Sequence, residues 1–193
     1  MARTKAFDPE SALHDAMLLF WRQGYEATSV QELVDALGIG RGSLYATFGD
    51  KHALFLAALD RYSEQVFATL LPPLQSGGSA RDALDQVFAR VLDLATAPSH
   101  PPGCLMTNTL AELGLRDTDV AQRLLSNYRQ LEDALVEVLH RGQERGEISE
   151  RYAAPALARF LLTTMQGLRV LAKAKPDRAL LEEAVVVALT ALT

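Results

Sequence analysis

The stretch from Gly24 to Lys51, GYEATSVQELVDALGIGRGSLYATFGDK, carries the strongest structural signal in the chain. Ser29 is a good N-cap, and Glu32 three residues later can complete a capping box. Val30, Leu33, Val34 and Leu37 then fall at i, i+3, i+4 and i+7, which is one face of a helix. Gly38-Ile39-Gly40 breaks that helix, and Gly38 suits a left-handed cap. A second short helix is predicted from about Arg41 to Phe48. Two short helices joined by a glycine-bearing turn are the sequence form of a helix-turn-helix, whose second helix enters the major groove of DNA.

On a helical wheel, Leu44 and Phe48 of the second helix face a core. Gly42 and Ala46 occupy the opposite side, flanked by Ser43 and Tyr45, and small residues there let the backbone approach a large partner. Tyr45 and Ser43 are donors suited to phosphate oxygens, and Arg41 can reach a phosphate or a guanine edge. The bland alternative is a solvated helix with one apolar side. Lys51 argues against it. Asp50 reads as the next N-cap, so Lys51 sits in a first turn, where a cation opposes the helix dipole by about 0.3–1 kcal/mol. A phosphate arriving at that helix start would make sense of it.

Residues 7–54 resemble the DNA-binding domain of the tetracycline-repressor (TetR) family. The matching pieces are a first helix ending in Phe20 and Gly24-Tyr25, the Thr28-Ser29-Val30 start, and Leu37-Gly38-Ile39. Arg41-Gly42-Ser43-Leu44-Tyr45, Phe48 and Lys51 complete the match. The chain departs from the commonest form at Gly40, often Ser, and at Ala46-Thr47, often aromatic or His. The resemblance implies an all-α homodimeric regulator, most often a repressor released by a small ligand. It implies DNA contacts at Thr28, Ser29, Arg41, Gly42, Ser43, Tyr45, Ala46, Thr47 and Lys51.

Beyond that stretch, the 193 residues fit one domain or two small ones sharing a helix. The division expected is an N-terminal arm and helix-turn-helix domain over 1–52 and a helical ligand-binding and dimerisation domain over 53–193. The net charge of −5 excludes a basic DNA-coating protein, so nucleic-acid affinity must come from a local patch. No charged-then-apolar leader and no apolar run of membrane length is present, and the expectation is a cytoplasmic protein without a membrane partner. A single cysteine cannot close an internal disulfide.

About nine helices and no strand are expected. Arg3 and Lys5 lie in a terminal arm, and Asp8-Pro9 starts the first helix, with Leu13, Ala16, Met17 and Phe20 on one side. Trp21 reads as packing. A longer helix runs from Asp50 to about Leu71, where Pro72-Pro73 should stop it. It links the DNA-binding part to the rest, and the resemblance makes it the element a bound ligand moves. Ser79 caps a helix to about Ala97, a short helix spans Cys104 to Leu113, and Thr118 caps a long one to about Arg145. Pro155 opens another that ends near Lys173, and Pro176-Asp177 starts the last.

The last two helices look adhesive. Leu157, Phe160, Leu161, Thr164 and Leu168 form a stripe, and Ala184 to Leu189 carries no charge. Those residues with Val185, Val186 and Leu189 are the candidate dimer interface. The resemblance implies a four-helix contact, two helices from each subunit. The valines pull toward β structure.

No catalytic constellation stands out. His14, His52, His100 and His140 have no ligand spacing, and no metal or cofactor is expected. A helical-bundle enzyme or a non-DNA ligand-binding bundle is the remote rival. Candidate effector contacts are Phe88, Leu92, Cys104, Met106, Asn108, Leu110, Tyr128, Met165 and Leu168, against the plain alternative of a filled core. Cys104 follows Gly103 at an expected helix start, where a thiol's pKa falls. Gly103-Cys104-Leu105 resembles the N-ethylmaleimide-responsive branch of the family, which implies sensing of electrophiles or oxidants. The plain alternative is a small buried apolar residue.

Overall fold

Residues 7–174 and 177–193 are described by the computed structural model, and they contain nine helices and no strand. Arg3, Lys5 and Pro176 lie outside the described residues. In α1 (Pro9–Gln23) the Asp8 side chain accepts from the backbone N–H groups of Glu10 and Ser11. Pro9 fits there because the first N–H of a helix has no partner within it. α2 (Val30–Leu37) and α3 (Arg41–Phe48) take the bounds that periodicity and glycine placement gave them.

α4 (Lys51–Gln75) overturns one expectation, for it runs through Pro72-Pro73. A proline in a helix leaves the carbonyl four residues earlier without its donor. Here the Arg90 guanidinium donates to the Thr69 carbonyl at 2.6 Å, replacing the N–H that Pro73 lacks. Arg141 then donates to the Leu74 and Ser76 carbonyls at 2.9 and 3.3 Å, which closes the helix end.

α5 (Ala80–Thr96) is capped by Ser79, as read from the sequence. α6 (Leu105–Leu113) has Cys104 at its N-cap, without a side-chain cap bond. α7 (Thr118–Glu144) is capped by Asp117, whose carboxylate accepts from Val120 N–H at 3.0 Å. Thr118, the expected cap, is instead the first helical residue; the Asp117 carboxylate one place earlier takes the third N–H of the helix. α8 (Ala154–Ala172) and α9 (Arg178–Thr190) complete the chain. The valine run of α9 is helical because Leu181, Val185 and Leu189 anchor one side of it in the core, which outweighs β propensity.

α4 is the spine. α1 packs across its first half, where Phe20 meets Phe55 edge-on at 5.0 Å and Tyr25 tilts onto Phe55 at 4.8 Å. α5 and α7 pack along the rest, α8 lies on α7 and α5, and α9 rests on α5 and α8. The buried apolar residues form one cluster from Ala16 to Leu192. Each fully buried leucine or phenylalanine in it stabilises by about 1.5–3 kcal/mol.

Candidate DNA-binding interface and the core behind it

The capping box at the start of α2 is complete. Ser29 Oγ accepts from Glu32 N–H at 3.2 Å, and Glu32 Oε2 accepts from Ser29 N–H at 2.8 Å. The Ser29 backbone N–H first, and then its hydroxyl, hold the Glu32 carboxyl below the usual carboxylate range. Gly38 has φ +63° and ψ 26°, the left-handed conformation that lets the chain leave α2 and seat the buried Ile39. α3 follows at once, pinned by Leu44, which is fully buried.

The outer side of α3 is as the wheel placed it. Arg41, Gly42, Tyr45, Ala46 and Thr47 are exposed, and Ser43 is half-buried. Tyr45, at 43% exposure, is the large aromatic of that face. A Cβ built on Gly42 meets nothing within 4 Å, so the backbone there is open to an approaching surface. Arg41 is held loosely, its Nη2 donating to Gln31 Oε1 at 3.3 Å. Lys51, at the first position of α4, places its ammonium 4.3 Å from the Tyr25 ring centroid, a cation–π contact that pre-positions the charge.

Thr28 does not belong to this surface. It is 0% exposed, and its hydroxyl donates to the Gly24 carbonyl at 2.6 Å. Its role is to fold the α1–α2 turn, and no DNA contact is open to its side chain. Ser29 stays exposed, with its oxygen engaged as a cap.

Two polar bridges tie this unit to the helices behind it, and sequence reading missed both. Glu112, in the last turn of α6, accepts from the Tyr25 and Glu26 backbone N–H groups at 3.1 and 2.8 Å. Gly24 is required beside it, since it has φ +86° and a Cβ there would lie 2.7 Å from Glu112 Oε2. His52 in α4 lies 2.7 Å from Asp117 at the start of α7. Partners 65 and 87 positions apart leave no trace in local periodicity.

The effector candidates divide. Phe88, Leu92, Cys104, Met106, Met165 and Leu168 are buried in the core, Tyr128 is partly buried, and Asn108 borders a surface hollow of about 320 Å³ with Trp21, Glu112 and Lys173. Leu110 is 40% exposed, because the helical turn of α6 carries it away from the core. A second hollow of about 400 Å³ lies between Ala95–Pro98, His100, Pro102 and Ala172, which sequence reading did not single out. Neither hollow is lined by Phe88, Leu92, Met106, Met165 or Leu168. Among the described residues no group of His, Cys, Asp and Glu could hold a metal ion. No described helix is long and apolar enough to cross a membrane.

The interface candidates divide likewise. Leu157, Leu161, Leu168, Val185 and Leu189 are buried against their own chain, with Leu157 at the floor of a hollow beside Phe160. Phe160 and Val186 are exposed and Thr164 is half-exposed. With Val170, Leu171, Leu180 and Val187 they leave an uncovered apolar surface on α8 and α9.

Family models match both parts of the chain. One described as "Bacterial regulatory proteins, tetR family" covers residues 12–58, and one described as "Tetracyclin repressor-like, C-terminal domain" covers 80–187. The chain belongs to the TetR family. This TetR-family protein is 35% identical to the HTH-type transcriptional regulator YezE of Bacillus subtilis over 193 residues, 100% of both chains. It is 38% identical to the HTH-type transcriptional repressor ComR of Escherichia coli over 172 residues, 89% of this chain and 82% of ComR. Its fold superposes with a TM-score of 0.88, at 32% identity and 100% coverage of both chains, on a cysteine mutant of the regulator CifR complexed with 26-bp operator DNA. The reduced form of E. coli NemR, at 23% identity, shares the fold with a TM-score of 0.84.

Proposed function

We propose that this TetR-family regulator represses transcription by binding a palindromic double-stranded operator as a homodimer, and that a small effector acting on the helices behind α1–α3 releases it. The reading assigns the chain no catalytic step and a cytoplasmic place beside its DNA. The observation that carries it is the outer face of α3. Small residues at Gly42 and Ala46 lie between Arg41 and Tyr45, with Leu44 locking the helix from below. Backbone approach plus flanking donors is what a helix in a major groove needs. The operator complex of CifR supports it by analogy.

The test starts from a site selected out of randomised duplexes. Tyr45→Phe with Lys51→Ala should weaken binding to every selected sequence by roughly tenfold or more. It should also flatten the salt dependence, by about one unit of log–log slope for each phosphate that the variant leaves unneutralised. Unchanged affinity at moderate salt would overturn the assignment of this face.

A second reading is favoured by Cys104. Its thiol stands at the N-cap of α6, the helix whose other end holds the α1–α2 turn through Glu112. On this reading the effector is an electrophile or oxidant that modifies the thiol. Treatment with peroxide should release wild-type protein from DNA and leave Cys104→Ser bound; an equal response in both removes it.

A further inference from the structure

Arg41 opens α3 with no support from its own helix. Its two neighbours are glycines, and a Cβ built on Gly40 or Gly42 meets nothing within 4 Å. Gly40, at the N-cap, brings no side-chain hydrogen bond. Among the described residues no carboxylate forms an ion pair with Arg41, so its charge is uncancelled.

What holds the guanidinium comes from α2. Gln31 Oε1 accepts from Arg41 Nη2 at 3.3 Å, and Gln31 Nε2 donates to Asp35 Oδ1 at 2.9 Å. Gln31 and Asp35 are both exposed and stand four positions apart, the spacing at which side chains on a helix meet. The two ends of this chain of bonds decide which way the amide points. A carboxylate only accepts and a guanidinium only donates, so the amide nitrogen must face Asp35 and the amide oxygen must face Arg41. The reverse orientation would set donor against donor and acceptor against acceptor.

A neutral link matters for the charge. A carboxylate in the place of Gln31 would pair with Arg41 and cancel the positive charge that DNA is to meet. The amide holds the guanidinium through one of its five N–H donors and leaves the others for a partner. A guanine edge in the major groove takes two of them, at O6 and N7.

We propose that Gln31 is a positioning residue for base recognition: it presents Arg41 to a guanine in the major groove, and Asp35 fixes the amide that does so. This role rests on the reading of α3 as the DNA-facing helix, and it adds the base read at the first residue of α3 and the α2 residue that sets the reading. A free arginine side chain has many rotamers, and ordering it on binding weakens the contact it makes. A side chain already aimed loses less. The gain appears only where the fork has a guanine to meet, and it is absent on a duplex with another base there. Gln31 therefore acts on sequence preference and not on general affinity.

The test uses the full chain, the duplex selected by wild type and the set of its single-base changes. Arg41→Ala should relax the preference for one guanine by roughly tenfold or more, and that position defines the readout. Gln31→Ala should relax preference at the same position by about three- to tenfold. Its affinity for the duplex already changed there, and its salt slope, should match wild type. Asp35→Ala should act in the same direction to a smaller extent. Gln31→Glu restores an acceptor, so it should recover the guanine preference while lowering affinity for every duplex. In an Arg41→Ala background, Gln31→Ala should have no effect. Gln31 and Asp35 are exposed, so these variants leave the core intact. A wild type that selects no duplex would remove the DNA-binding reading itself. With that reading intact, an unchanged preference in Gln31→Ala overturns the role. A uniform loss on all duplexes with a flatter salt slope does so too, for it makes Gln31 a backbone contact. An undiminished Gln31→Ala effect without Arg41, or an Arg41→Ala loss that relaxes no base, overturns it as well.

Discussion

At Thr28, the family resemblance implies a DNA contact, and the fold buries the side chain. The hydroxyl turns inward to the Gly24 carbonyl because the α1–α2 turn brings that acceptor within 2.6 Å. Thr28→Val removes the bond and leaves the part-buried Gly24 carbonyl short of a donor, at a cost of about 1 kcal/mol. The urea midpoint should fall accordingly, while affinity for operator per folded dimer should be unchanged. A selective loss of DNA affinity would return Thr28 to the interface. Ser29, Glu32 and Gly38 were legible because their partners lie within four residues and obey cap chemistry. Arg169 was half legible. It stands four residues after Met165 and three before Ala172 on the apolar stripe of α8, so an inward charge was visible, but the Cys104 sulfur that meets it is 65 positions away.

Asp117 belongs to two elements at once, and its titration reports on both. Its carboxyl is held below the usual carboxylate range, first by the Val120 N–H it caps and then by its bond with His52. Because the folded pKa lies below the unfolded value of about 3.9, the carboxylate stabilises the fold at pH above that value. The stabilisation is lost as pH falls through the folded pKa. Thermal unfolding from pH 6 down to 3 should therefore show an acid limb that Asp117→Asn flattens, with a lower melting temperature for the variant at pH 6. An identical slope in both would assign the limb to other carboxylates.

Among the helices themselves, all nine were foreseeable from period and caps, and the error at α4 has one cause. Pro72-Pro73 reads as a stop unless a donor arrives from elsewhere in the fold, and that donor is Arg90 of α5. Arg90→Leu should orphan the Thr69 carbonyl, lower stability by about 1–3 kcal/mol and fray α4 from its last two turns. Amide exchange confined to Leu70–Gln75 would show it, and unchanged protection there would mean the prolines are tolerated without help.

For the molecule as a whole, the surface of α8 and α9 is the argument for a dimer. Stripes read from sequence mixed two faces, because a helix with little charge gives no sign of which side meets its own core. The fold separates them. Leu157, Leu161, Val185 and Leu189 point in, whereas Phe160, Val170, Leu171, Val186 and Val187 point out, Val187 with 69% of its surface uncovered. Side chains of this kind gathered on two neighbouring helices exceed what scattered surface residues need. On the proposed reading, a second copy related by a two-fold axis would cover the same patch on both partners and would set two α3 helices at a fixed separation for a palindrome. Val186→Glu with Val187→Glu should split the dimer at micromolar concentration by light scattering while leaving the helical signal intact, since both residues lie outside the core. Operator binding should fall with it, as a monomer engages only one half-site. A double variant that stays dimeric would move the interface off α9, and a monomer that binds operator as tightly as the wild type would remove the need for two-fold symmetry in recognition.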